Sequence, residues 1–125
     1  CPLICYDLRF PVWSRNTMIA DEPAFDVLIY VANWPAVRKQ PWSKLLVARA
    51  IENQCYVVGV NRVGFDVNNH EYVGHSAIYD GLGECISDIK HNTEQTEILI
   101  LNKNHLETIR QKLKFLDDRD AFTLK

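Results

Sequence analysis

The sequence predicts an α/β layered domain, and three observations carry that expectation. Two short runs rich in β-branched residues, 26–31 and 56–60, read as fully buried strands. A helix-length segment, opened by Pro41-Trp42-Ser43 and closing near Gln54, lies between them and gives strand–helix–strand order. Beyond residue 65 buried runs give way to alternation, and residues 76–79 and 85–87 flank Asp80-Gly81-Leu82-Gly83 as a β-hairpin.

At the start of the chain Cys1 leads straight into the apolar run Pro2-Leu3-Ile4-Cys5-Tyr6, a short strand ended by Ile4 and Cys5. A chain that begins inside such a strand reads as the C-terminal part of a longer polypeptide. Tyr6-Asp7-Leu8-Arg9-Phe10-Pro11 turns away, and Pro11 suits the first turn of a helix over 13–16. Residues 16–26, with Asp21-Glu22-Pro23, read as a surface loop. The strand at 26–31 is stopped by Asn33-Trp34-Pro35. In the helix at 41–54, Leu45, Leu46, Val47, Ala48, Ala50 and Ile51 nearly encircle the axis, leaving Arg49 and Glu52 as interior charges. That pattern predicts a helix packed between layers.

The strand at 56–60 ends at Asn61-Arg62, and the polar stretch 66–72 reads as a loop. Residues 96–101 supply one more strand. Asn104 caps a last helix with Glu107 at capping-box spacing, and Leu106, Ile109 and Leu113 line one face of it. The tail from Phe115 through Asp117-Asp118-Arg119-Asp120 to Phe122 is expected to dock on a neighbouring element.

Composition narrows the classes of function. The 125 residues are 47% hydrophobic and 24% charged, which excludes a disordered or low-complexity chain. Fourteen Lys and Arg against sixteen Asp and Glu leave a net charge of -2, with no basic run longer than Arg38-Lys39. Nothing there builds the positive stripe of a nucleic-acid binder. The longest apolar run, 27–32, falls far short of the roughly 20 residues that span a bilayer, so neither nucleic acid nor membrane is an expected partner.

Cys1, Cys5, Cys55 and Cys85 contain no C-x-x-C, and His70, His75, His91 and His105 no H-x-x-x-H, so no metal site is expected. The cysteine pattern is not a disulfide scaffold and suits a reducing, cytoplasmic setting. Cys55 and Cys85 read as small packing residues. Cys5 stands apart by its position. A cysteine ending a buried strand before a sharp turn presents its sulfur, with backbone N–H groups nearby for an oxyanion and a helix start that favours thiolate. A packed strand cysteine is the competing reading of the same pattern.

The flanking motifs bear on that choice. Leu3-Ile4-Cys5-Tyr6-Asp7-Leu8-Arg9-Phe10-Pro11 closely resembles the nucleophile segment of the nitrilase superfamily, the carbon–nitrogen hydrolases. Val12-Trp13-Ser14-Arg15-Asn16 resembles its bacterial omega-amidase branch. The likeness continues through Tyr30-Val31-Ala32-Asn33-Trp34-Pro35, Ala48-Arg49-Ala50-Ile51-Glu52-Asn53-Gln54, Gly59-Val60-Asn61-Arg62-Val63-Gly64, Gly74-His75-Ser76 and Phe115-Leu116-Asp117.

The resemblance implies a four-layer α-β-β-α sandwich of the nitrilase type, of which residues 1–125 are the C-terminal half of a single domain. It implies a Glu–Lys–Cys mechanism without metal or cofactor, cleaving small aliphatic omega-amides to carboxylate and ammonia. Cys5 would attack the amide carbon and form a thioester, and the Tyr6 backbone N–H would join a lysine in holding the oxyanion. Asn33, Trp34 and Pro35 would wall the substrate pocket; apart from the resemblance, Arg49 and Glu52, i, i+3 on one helix, read as structural charges that pair with each other or with Asp7 and Arg9 near the site. No Glu or Lys of this chain matches the family's base or oxyanion positions, so the isolated chain is expected to be inactive. A homodimer or larger assembly is expected of the intact protein.

Three other readings stand beside this one. Another superfamily amidase or an N-carbamoyl hydrolase would use the same residues. A Cys–His hydrolase would pair Cys5 with His70 or His75, oriented by Asn68 or Asn69. A non-catalytic assembly domain would keep the fold without its base. Trp13 and Trp42 read as core or subunit-contact aromatics, and His75 as a hairpin residue.

Overall fold

The computed structural model describes residues 1–120. Its centre is a four-stranded sheet in the order β1-β4-β5-β8, where β1 is Pro2–Ile4, β4 Val27–Ala32, β5 Tyr56–Asn61 and β8 Ala77–Tyr79. β1, β4 and β5 run parallel, and β8 returns antiparallel on β5. Helix α1, Lys39–Asn53, crosses from β4 to β5, as two adjacent parallel strands require. The two predicted strands and the helix between them are therefore present, but the expectation of full burial is corrected, since each strand is covered on one face only and Val31 and Val60 on the other are exposed.

Helix α1 starts two residues before Pro41, after a short 3-10 turn over Ala36–Arg38. Pro41 sits in its first turn, where a missing N–H leaves no bond unmade. At the other end Gln54 takes a left-handed conformation (φ 42°), and its N–H closes on the Ala50 carbonyl. The helix buries one face, Trp42, Leu46, Arg49, Ala50 and Asn53, while Ile51 is half exposed. The expectation of a helix packed between layers is thus corrected to one-sided packing. Leu28, Tyr30, Ala32 and Val57 lie under that face and complete the core with Leu8 and Trp34. Gly59 sits where the helix comes closest: a Cβ there would stand 2.4 Å from Leu46 Cδ1.

The opposite sheet face is apolar and open. The register aligns Ile4, Val31 and Val60 in one row across β1, β4 and β5, at 72%, 57% and 47% exposure. Ile98 and Ile100 are 91% and 93% exposed, and the strand predicted at 96–101 does not form among the described residues. A strand without a partner leaves its backbone groups to water, so apolar alternation alone did not make it one.

Local departures have local causes. Residues 11–14 form a turn where a helix was expected over 13–16. The expected loops at 16–26 and 66–72 contain two small hairpins, β2 (Met18–Ile19) with β3 (Glu22–Pro23) and β6 (Val63–Phe65) with β7 (Glu71–Val73). Asp66 organises the second turn, its carboxylate accepting from the backbone N–H groups of Asn68 and His70, each at 2.9 Å, and from Tyr72 Oη at 3.1 Å. The 76–87 hairpin persists as β8 joined to Cys85 by a single bridge at Tyr79.

Helix α2, Lys103–Lys112, is capped by Asn102 rather than Asn104, its side chain accepting the His105 N–H at 3.2 Å. Leu106 and Ile109 are buried and Leu113 partly so, as the predicted face requires. In the tail, Leu116 is buried and Arg119 donates to the Asn16 carbonyl; Phe122 lies outside the described residues.

Candidate active site

Cys5 opens a 3-10 turn, Cys5–Arg9, directly after β1. Its φ is +35°, a left-handed backbone on a residue with a Cβ, and such geometry costs on the order of 1–2 kcal/mol. The turn is fastened at both ends. The Asp7 carboxylate accepts the Ile4 N–H at 2.9 Å, just before the cysteine. After it, Arg49 Nη2 on α1 donates to the Leu8 carbonyl at 2.6 Å.

Arg49 is 3% exposed and pairs through Nη1 with Glu52 Oε1 at 3.0 Å. The two interior charges of the helix therefore meet each other, not Asp7 and Arg9. A buried guanidinium is costly unless its donors are engaged. Here one of them is given to the backbone of the cysteine turn. Tyr30 lies in the same buried cluster. Burial holds its phenol above the ordinary value, with the Ser14 hydroxyl and the Arg49 charge acting against that rise.

The loop Asn33-Trp34-Pro35 leaves the end of β4, beside β1. Asn33 is exposed, Trp34 is buried and Pro35 is partly buried. Trp34 is held from three sides. Its indole N–H donates to the Arg38 carbonyl at 2.7 Å, its ring tilts against Trp42 at 5.5 Å, and the Arg9 guanidinium lies 4.7 Å over it. Arg9 thus links the cysteine turn to this loop by a cation–π contact.

Asn61, which the sequence places at a strand end within the Gly59-Val60-Asn61-Arg62-Val63-Gly64 motif but gives no role of its own, is the residue that fixes the loop. Its Oδ1 accepts the Trp34 N–H at 2.7 Å, and its Nδ2 donates to the carbonyls of Trp34 at 3.0 Å and Gly74 at 2.8 Å. The available signal was an amide residue closing a fully buried strand, where a polar side chain needs partners.

Tyr6 follows Cys5 in the same turn, is exposed and packs edge-on to Phe10 at 5.1 Å; the remaining candidates lie elsewhere. Trp13 is exposed, whereas Trp42 is core. His70, Asn68 and Asn69 belong to the β6–β7 turn, with the His70 ring 3.1 Å from Asp66. His75 is a left-handed connector (φ 53°) rather than a hairpin residue, its carbonyl accepting the Trp42 indole N–H at 2.8 Å. Its ring stacks on His91 at 3.6 Å, and burial, with His91 and Lys39 adding to it, holds its pKa below the ordinary value. Among the described residues no hydrogen bond joins either histidine to Cys5, and no group of three metal-ligating side chains occurs. No described helix is long and apolar enough to cross a membrane.

The family model for carbon-nitrogen hydrolases matches residues 2–111. The chain belongs to that family. It is 46% identical to an omega-amidase of Yersinia enterocolitica over 123 residues, covering 98% of this chain and 46% of the relative. It is 44% identical to a 2-oxoglutaramate amidase of Bacillus subtilis over 86 residues, covering 69% of this chain and 32% of that one. The crystal structure of a CN-hydrolase superfamily protein from Xanthomonas campestris, bearing an arsenic adduct in its active site, superposes with a TM-score of 0.94 at 42% identity. That match covers 99% of this chain and 48% of the other. The chain thus spans about half the length of the Yersinia and Xanthomonas proteins, and its sheet-and-helix arrangement is that of the carbon–nitrogen hydrolase fold.

Proposed function

We propose that residues 1–125 form the nucleophile-bearing, C-terminal part of a single carbon–nitrogen hydrolase domain that cleaves small omega-amides of dicarboxylic or keto acids. The observation that carries this reading is Cys5, held left-handed between the parallel edge strand β1 and a 3-10 turn, in a chain of this family. The similarity to proteins named omega-amidase and 2-oxoglutaramate amidase supports the substrate class.

In the proposed reaction the Cys5 sulfur bonds to the amide carbon and the C–N bond breaks. Ammonia leaves with the thiol proton, relayed by a general base, and a thioester remains. Water then adds to the thioester carbon, the C–S bond breaks, and carboxylic acid and free thiol result. The Tyr6 N–H stabilises the oxyanion, while Asn33, Trp34 and Pro35 wall the substrate. The general-base Glu and the oxyanion Lys come from outside residues 1–125, as does the layer that covers Ile4, Val31 and Val60. The intact protein works in the cytoplasm, where four unpaired cysteines are at home, as a homodimer or larger assembly.

The test is ammonia release from omega-amides by the polypeptide as its source cell makes it, with hydroxylamine trapping of the acyl group. Turnover lost in Cys5→Ala, with an acyl adduct on the Cys5 peptide of the active protein, is the expected result. Turnover that survives Cys5→Ala refutes the nucleophile. Turnover of N-carbamoyl compounds in place of omega-amides refutes the substrate class, and absence of any turnover favours the assembly-domain reading.

A further inference from the structure

We infer that Arg49 is a positioning residue for the nucleophile, acting through the Leu8 carbonyl, with Asp7 as its counterpart on the other side of Cys5. This deepens the proposed function and rests on Cys5 being the nucleophile. The strained backbone of Cys5 is not self-supporting: a residue with a Cβ holds φ +35° only where its surroundings over-determine it. Two charged side chains supply that constraint from opposite ends. Asp7 takes the N–H of Ile4, immediately before the cysteine, and Arg49 reaches from α1 to the carbonyl of Leu8, three residues after it.

The chemistry of Arg49 favours this role over plain helix stabilisation. An i, i+3 pair with Glu52 needs no burial and would serve as well on a solvated helix face. Burying the guanidinium adds a desolvation cost that the Glu52 contact alone does not call for, and Nε finds no partner among the described residues. What burial achieves is a short bond between a rigid helix and the turn that carries the sulfur. Because α1 also packs under β4 and β5, the clamp ties the cysteine to the same frame that carries Trp34.

The experiment uses the full polypeptide with Arg49→Met, Arg49→Lys, Asp7→Asn and, on the exposed side of α1, Lys44→Ala as control. Two readouts run in parallel: kcat and KM on an omega-amide, and the rate at which iodoacetamide alkylates Cys5, located by peptide mass. A loosened nucleophile should lower kcat by up to about 10²-fold in Arg49→Met with KM unchanged, since loss of ångström-scale alignment costs that much. The Cys5 alkylation rate should change with it, and Arg49→Lys, which can still donate to Leu8, should recover part of both. Should Arg49→Met not fold, Arg49→Lys and Asp7→Asn carry the test. Variants that fold and keep wild-type kcat and wild-type alkylation overturn the clamp. A wild-type protein that alkylates at Cys5 yet turns over amides undiminished afterwards would instead overturn the nucleophile assignment, so the two failures are separable.

Discussion

Removing the Asn61 side chain isolates what fixes the loop beside the cysteine. In Asn61→Ala three buried bonds vanish together: Trp34 N–H to Oδ1, and Nδ2 to the carbonyls of Trp34 and Gly74. Each backbone group left inside without a partner costs about 1–3 kcal/mol, and water entering the vacated space repairs some of that. We therefore expect a loss of about 3–5 kcal/mol, near the lower end of the sum. Against a typical stability of about 5–15 kcal/mol this is large enough to read directly in urea unfolding of the full polypeptide. Tryptophan fluorescence is a suitable probe because Trp34 packs on Trp42 and its backbone loses both bonds. Asn61→Asp should be no milder, since it keeps the acceptor for Trp34 N–H but turns a carboxylate oxygen towards two carbonyls. A loss under about 1 kcal/mol in Asn61→Ala, the size of one ordinary net hydrogen bond, would refute the reasoning.

Gly59→Ala should cost about 1–3 kcal/mol by overpacking, because its Cβ would meet Leu46 Cδ1 at 2.4 Å and Trp42 Cζ2 at 3.0 Å; urea unfolding that matches wild type would show that the helix yields freely. Burial pushes the Cys55 thiol from 9.0 up to about 12, so the folded state resists losing that proton and the unfolded state does not. Stability is then full below pH 9 and declines as pH rises towards about 12, by at most about 4 kcal/mol, and Cys55→Ala should flatten that alkaline limb. The backbone N–H of His70 leads several hydrogen bonds that hold the Asp66 carboxyl at about 2, so its NMR titration should stay flat well below 3.8. Its stabilising contribution is complete above 3.8 and lost as pH falls through about 2, and Tyr72→Phe should move the midpoint upward.

Much of the frame was legible because its strongest signals are self-consistent. The runs at 26–31 and 56–60 and the helix between them specify a parallel unit by burial and length alone, and the register Val27↔Tyr56 agrees with pairing them. The small hairpins at 18–23 and 63–73 were not legible, since a two- or three-residue strand carries too little periodicity and is fixed by turn chemistry. Residues 96–101 show the converse. Ile98 and Ile100 alternate as a strand should, but alternation promises a face and not a partner, and none of the described strands pairs with it. At the candidate site, the motif singled out Cys5 and its neighbours for the proposed role, whereas the Asn61 latch was hidden. Its bonds run to Trp34 and Gly74, 27 and 13 residues away, which no local pattern encodes.

The backbone itself ranks Cys5 apart from the other strained positions. Seven residues other than glycine have positive φ among those described. Asp21, Asn69 and Asn92 are of the types that tolerate it, and Ala20 joins Asp21 in the two-residue β2–β3 turn, which needs both residues left-handed. Gln54 closes α1, and His75 connects β7 to β8 with its carbonyl held by Trp42. Asn92 apart, which lies in a loop turn, each of these ends or reverses an element, where the left-handed conformation relieves more than it costs. Cys5 too follows the end of an element, the edge strand β1, but it opens a turn braced by a carboxylate and a buried guanidinium. Strain with such bracing holds a thiol and the backbone N–H groups around it in one fixed arrangement, as a nucleophile requires. If relaxing the brace leaves the thiol as reactive as before, that strain has another origin, and the alkylation rates of the Arg49 and Asp7 variants decide between the two.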